Sequence, residues 1–178
     1  MEMKKLKISG ILMLAVLLFS LPAGAAGLKL GYANLQQALN ECEAGKKAKD
    51  TLQKEAQKLE EELNVKQESL KKMKDELDKK SAVWNQETRD AKELDFKSRS
   101  QDFQKQFMEY GENLNKKKQE VEAKIINGLR DAVEELAKKN GYSYVFERSV
   151  GGILYAPAED DLTPEVIKMY DKSFKAGK

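Results

Sequence analysis

A hydrophobic seam of period 3.5 runs through residues 35–77 and limits what the chain can fold into more than any other feature. Stepping alternately by three and four, it takes Leu35, Ala38, Cys42, Gly45, Lys49, Leu52, Ala56, Leu59, Leu63, Lys66, Leu70, Met73 and Leu77. Ten of these thirteen positions are apolar, and the residues between them are mainly Lys, Glu, Gln and Asp. A repeat sustained this long winds helices together and rules out a sheet, whose side chains alternate with period 2. Cys42 falls on the seam, where it reads as a small buried apolar residue and not as a nucleophile.

The seam stops at Ser81-Ala82-Val83-Trp84-Asn85, a cluster rich in helix-capping residues. A second helical stretch then continues to Lys139 with its own seam of Phe96, Ser100, Phe103, Phe107, Tyr110, Leu114, Lys117 and Val121. One stutter shifts it to Ile125, Leu129, Ala132 and Leu136. Folding the chain near Val83 pairs positions whose numbers sum to roughly 166, a symmetry expected of a hairpin closed by a short tip. Leu63 then faces Phe103, Leu59 faces Phe107, Leu70 faces Phe96, and Ala56 faces Tyr110. About 45 residues per leg predict an arm roughly 65–70 Å long. The competing arrangement is one unbroken helix dimerising in parallel, which the capping cluster and the matched pairing disfavour.

The period changes on both flanks. Leu28, Leu30 and Tyr32 alternate with Lys29 and Gly31 as a half-buried strand, and Asn34 follows as an N-cap. After Asn140-Gly141, a helix stop, Tyr142-Ser143-Tyr144-Val145-Phe146-Glu147 reads as a strand. Val150-Gly151-Gly152 then supplies a turn, and Ile153-Leu154-Tyr155-Ala156 the returning strand of a hairpin. Thr163 as N-cap and Pro164 at the first helical position start a short amphipathic helix that buries Val166, Ile167 and Tyr170. The expected fold is α+β, with a small β-rich body (residues 26–33 and 140–178) and a helical hairpin arm (residues 34–139, tip near 81–85) inserted in it. Such a body is too small and too rich in open sheet edges to be comfortable alone, so self-association is expected through Leu30, Tyr32, Val145, Phe146, Leu154 and Tyr155.

The first 25 or 26 residues have a different character. Lys4, Lys5 and Lys7 precede an apolar run over residues 8–21, and Pro22-Ala23-Gly24-Ala25-Ala26 offers small residues for cleavage after 25 or 26. This is the layout of a secretory signal peptide, and the run is short for a bilayer span. An uncleaved anchor is the alternative. The chain carries 32 basic and 30 acidic residues. Residues 1–25 account for three of the basic ones and, in Glu2, one of the acidic, which leaves 29 of each. A neutral mature chain lacks the positive excess that nucleic acid requires. With no histidine, one cysteine and no Gly-rich phosphate loop, the usual nucleophilic triads, His-ligated metals and nucleotide-driven chemistry are excluded. Runs such as Glu60-Glu61-Glu62 are solvated helix surface, and no enzyme, cofactor or metal is expected.

The order of these blocks resembles the Skp/OmpH family of periplasmic chaperones for outer-membrane proteins. The resemblance rests on Leu30-Gly31-Tyr32-Ala33-Asn34-Leu35-Gln36-Gln37-Ala38-Leu39 before the arm. After it stand Gly141-Tyr142-Ser143-Tyr144-Val145-Phe146, Ile153-Leu154-Tyr155-Ala156 and Asp160-Asp161-Leu162-Thr163-Pro164-Glu165-Val166-Ile167. It implies a periplasmic homotrimer with a shared β-body, whose arms enclose a cavity and hold unfolded outer-membrane barrel proteins without ATP. It also implies a further partner in anionic membrane lipid or lipopolysaccharide, which the sequence does not map. The near-neutral outer arm, eleven basic against nine acidic residues over positions 66–105, departs from the basic character common in the family.

Two roles fit such a chain: a holdase for unfolded polypeptides, or a coiled-coil spacer of the cell envelope that binds a folded partner. A holdase needs apolar residues left over once the seam (Leu59, Leu63, Leu70, Phe96, Phe103, Phe107, Tyr110) is filled. Val65, Trp84, Leu94 and Met108 are such residues, with Leu94 and Met108 two heptads apart on one stripe. Scattered surface apolars of this kind also occur without function.

Overall fold

The structure, a computed structural model, describes residues 27–177, so the leader assigned above lies outside the described residues. In chain order the elements are β1 (Leu30–Ala33), α1 (Leu35–Glu41), α2 (Glu43–Lys80), α3 (Gln86–Asn140), β2 (Tyr144–Glu147), a 3₁₀ turn (Ala158–Asp160) and α4 (Thr163–Lys175). Among the described residues the secondary structure is mostly helical, with one small sheet of two strands.

Capping chemistry sets the helix boundaries. Asn34 accepts from the Gln37 backbone N–H at 2.9 Å to open α1, and Asn85 accepts from that of Thr88 at 2.9 Å to open α3. Gly141 closes α3 in the left-handed conformation, φ 67°, which costs glycine nothing. The Lys29 ammonium, bonded to the Asn140 carbonyl at 3.0 Å, complements the negative end of the same helix.

The seam through residues 35–77 is not one helix. At Cys42 the backbone turns extended (φ −67°, ψ 156°), and the Cys42 sulfur accepts from the Gly45 backbone N–H at 3.3 Å to cap α2. A Cβ on Gly45 would stand 1.7 Å from the Leu39 carbonyl oxygen, so only glycine permits this close turn. Past the break the inward positions shift to Ala44 and Ala48, while the seam position Lys49 is exposed, and the expected spacing resumes at Leu52.

Helices α2 and α3 pack antiparallel through a turn at residues 81–85. Their 38 and 55 residues correspond to about 57 and 82 Å. The longer leg continues past the foot of the arm and contributes Ile125, Leu129, Ala132 and Leu136 to the core. Ala33, Leu35, Ala38, Leu39, Cys42 and Ala44 meet them from β1 and the first helices, and Leu162 and Val166 from the C-terminal segment. The body is therefore held together within one chain mainly by helices.

The sheet differs from expectation. β2 pairs parallel with β1 in the register Leu30 to Tyr144, Gly31 to Val145, Tyr32 to Phe146 and Ala33 to Glu147. A parallel pair needs a long crossover, and here the whole arm is that crossover. Residues 153–156 form no strand. The chain leaves the sheet at Glu147, whose carboxylate accepts from Ser149 Oγ and the Val150 backbone N–H, both at 2.7 Å, instead of leading into a hairpin. The other edge of β1 is met by an isolated bridge between Tyr32 and Asp161, with the Leu162 N–H donating to the Tyr32 carbonyl at 2.8 Å. Thr163 is not an N-cap. Its hydroxyl donates to Asp161 Oδ1 at 2.6 Å and accepts from the Asn34 backbone N–H at 2.9 Å, tying the two ends of the body together.

Candidate functional site

The arm presents two kinds of apolar side chain. Leu59, Leu63, Leu70, Phe96, Phe103 and Tyr110 are partly buried between the legs. Phe107, expected beside them, is 60% exposed. A helix of 3.6 residues per turn places 106 and 107 equally far, about 50°, to either side of the midline between Phe103 and Tyr110, and the inward place goes to Gln106, hydrogen-bonded by Lys66 of the other leg. Phe107 turns outward against Phe103, with ring centroids 6.4 Å apart. Cross-leg ties also move the register. Glu55 with Lys117 and Lys66 with Gln106 have numbers that sum to 172, and Glu76 with Lys92 to 168, against the expected 166. A cleft of about 190 Å³ opens there between Leu70 and Phe103, with Lys66, Arg99 and Asp102 at its edge.

Val65, Leu94 and Met108 are exposed, and Trp84 is partly buried with the Lys92 ammonium 5.9 Å from its ring centroid. The four do not line one pocket. Leu94 and Met108 stand about 21 Å apart along α3, too far for one small ligand to touch both.

The body exposes a denser set. Tyr144 and Phe146 share one face of β2, with ring centroids 6.4 Å apart, and Leu28, Leu30 and Val150 are exposed as well. Beside β2 runs a groove of about 360 Å³ whose walls include Leu35, Val133, Ala137, Tyr142 and Val145. Of the residues assigned to an assembled core, only Tyr32 is buried in the single chain (4% exposed), and Val145 is partly buried. Leu154 is 99% exposed and Tyr155 nearly as open. Monomeric proteins seldom leave large apolar patches open to water. The sequence signalled the strand residues; Phe107 and the groove depend on packing and had no local signal.

Between arm and body lies a charged joint. Asp171 of α4 accepts from the Glu43 backbone N–H at 2.9 Å, a negative group at the N-terminus of α2, and Lys175 pairs with the Glu43 carboxylate at 2.6 Å. Burial pushes the Cys42 thiol up, which suits a packed residue more than a reactive one. Burial also pulls Glu147 upward, but bonds from Ser149 Oγ and from the Val150 and Leu35 backbone N–H groups outweigh it and hold its carboxyl below the usual range. Among the described residues no group of three or more Cys, Asp or Glu side chains could hold a metal ion. Among the same residues no helix is long and apolar enough to cross a membrane.

The chain is 31% identical over 163 residues to a Skp-like protein of Pseudomonas aeruginosa, covering 91% of this chain and 95% of that one. A crystal structure of a Caulobacter crescentus protein, titled an OmpH-like outer membrane chaperone, superposes with a TM-score of 0.77. It covers 84% of this chain and 88% of the other at 16% identity, a likeness of fold. Residues 29–170, the strands, the arm and most of α4, match the family described as outer membrane protein (OmpH-like), and the chain belongs to that family.

Proposed function

We propose that this protein is a periplasmic, ATP-independent holdase chaperone that binds unfolded outer-membrane β-barrel proteins and prevents their aggregation. In this reading residues 1–25 direct export, residues 26–33 and 140–178 form the trimerisation body, and residues 34–139 form the arm. Three arms project from a shared body and enclose the client. Leu30, Val145, Phe146, Leu154 and Tyr155 hold the trimer, and Tyr32, buried within its own chain, supports the strand that carries Leu30. Val65, Trp84, Leu94 and Met108 contact the client, and Phe107 joins them. Anionic lipid or lipopolysaccharide is a secondary partner, and nucleic acid is none, because the mature chain has no net charge to offer it.

One observation carries the proposal: the arm keeps exposed apolar residues off its seam while the body exposes Leu154, Tyr155 and the Tyr144–Phe146 face. A spacer would need only the seam. Family membership and the Skp-like relative support the chaperone role. The test is dilution of a urea-denatured β-barrel protein into buffer with the purified protein, read by light scattering. Suppression complete near one trimer per client, unchanged by ATP, is expected. Aggregation undiminished at that ratio would reject the holdase reading in favour of the spacer.

A further inference from the structure

At the foot of the arm the two legs and α4 enclose a groove of about 420 Å³, separate from the arm cleft and from the groove beside β2. Its wall is apolar: Ala48 and Leu52 from α2, Val121 and Ile125 from α3, Tyr170 and Phe174 from α4. Three lysines line it, Lys47, Lys117 and Lys124, and no carboxylate does. In a chain whose charges are otherwise balanced, that segregation is unusual. The larger cleft that shares Ala48 and Leu52 mixes both signs with neutral groups, its polar lining being Asn40, Lys49, Gln53, Asn115, Lys118 and Glu122.

The lysines are not equivalent. Lys117 is held by Glu55. Among the described residues, neither Lys47 nor Lys124 has a carboxylate within 4.0 Å. Their numbers sum to 171, inside the 168–172 of the ties between the legs, so they stand at one level of the arm, toward the body end of the groove that both line. The nearby carboxylates of Glu43 and Asp171 are engaged, by Lys175 and by the Glu43 N–H.

An apolar trough with two uncommitted cations at one end matches a single-chain anionic amphiphile. The trough is long enough to take the tail of a single-chain amphiphile along its apolar wall. We propose that this groove binds one free fatty acid, its tail along Leu52, Val121 and Ile125 and its carboxylate between Lys47 and Lys124. This goes beyond the holdase reading and stands without it.

Calorimetric titration of the purified protein with sodium laurate, below its micellar concentration, tests the assignment. One saturable site per chain is expected, and dodecyltrimethylammonium, with the same tail and the opposite charge, should bind at least about tenfold more weakly. The double variant Lys47→Gln/Lys124→Gln should weaken laurate about five- to tenfold, as expected for two screened ion pairs, and remove the preference over the cation. Thr51→Phe, at an exposed position on the groove, should block laurate while far-UV circular dichroism stays unchanged. If Thr51→Phe perturbs the fold, the lysine variant decides the matter alone. No saturable laurate binding, equal binding of laurate and the cation, or affinity unchanged in the lysine variant would each overturn the proposal. So would a Thr51→Phe protein that keeps laurate but loses capture of denatured barrel protein, since the groove would then belong to the client.

Discussion

Replacing Thr163 by Val probes the link on which the geometry of the body depends. Thr163 is 1% exposed and its hydroxyl makes two bonds, accepting from the Asn34 N–H at 2.9 Å and donating to Asp161 Oδ1 at 2.6 Å. Val has nearly the same shape, so no cavity opens, but the hydroxyl is lost. The Asn34 N–H, partly buried, is left without its acceptor, at about 1–3 kcal/mol. Asp161 loses a charge-assisted donor and keeps only the Thr163 N–H, at 2.9 Å. Together these come to about 2–4 kcal/mol. Thr163→Ser keeps both bonds and removes one methyl, costing about 1 kcal/mol. Urea denaturation of the three proteins at one fixed protein concentration, followed by tyrosine fluorescence, compares them without interference from assembly. Val should fall below Ser by at least about 1 kcal/mol. If Val equals or exceeds Ser, the hydroxyl does not join the two ends of the body.

Gly128→Ala and Gly111→Ala should move stability in opposite directions. A Cβ at Gly128 stands 2.5 Å from Tyr170 Cε2, and overpacking of about 1–3 kcal/mol outweighs a helix-propensity gain of about 1 kcal/mol; at Gly111 nothing lies within 4 Å, so the gain alone remains. Thermal unfolding of both variants checks the signs. Because the folded Glu147 carboxyl is held below its ordinary value of 4.5, its contribution is present above that value and lost as pH falls through the folded pKa. Stability of the parent should therefore decline below about pH 4.5 more steeply than that of Glu147→Gln, measured by urea midpoints across pH 3–6. Leu154→Asp adds a charge to a residue fully exposed in the single chain, so it should leave the monomer folded while dissociating the trimer, because an unpaired charge in an assembled core costs several kcal/mol. Sedimentation equilibrium reads the mass, and a variant that stays trimeric removes Leu154 from the interface.

Much of the molecule was legible in local patterns. The seam from Leu52 to Leu77, the tip at residues 81–85, the caps at Asn34 and Asn85 and the stop at Gly141 all depend on residues within a few positions of one another. The four buried residues of α3, Ile125, Leu129, Ala132 and Leu136, kept the spacing read from the sequence. The exposure of Val65, Leu94 and Met108 was legible in the same way, because a residue off the seam of a two-helix arm has nothing within its chain to pack against.

What the sequence determined by itself is the arm: a period of 3.5, interrupted once by capping residues, admits little besides two antiparallel helices. Tertiary structure decided the rest. The strand partner of β2 is β1, more than 100 residues away, because closing the arm brings Leu30 and Tyr144 together, while Glu147 turns the nearer candidate at residues 153–156 out of the sheet. Cys42 breaks the first helix because Leu39, Gly45 and Asp171 together make the bent path the better-bonded one. Gln106 displaces Phe107 because Lys66 on the opposite leg offers it a hydrogen bond. Each outcome is a competition between partners distant in sequence, and periodicity, which reports only which side of an element is apolar, carries no record of who wins.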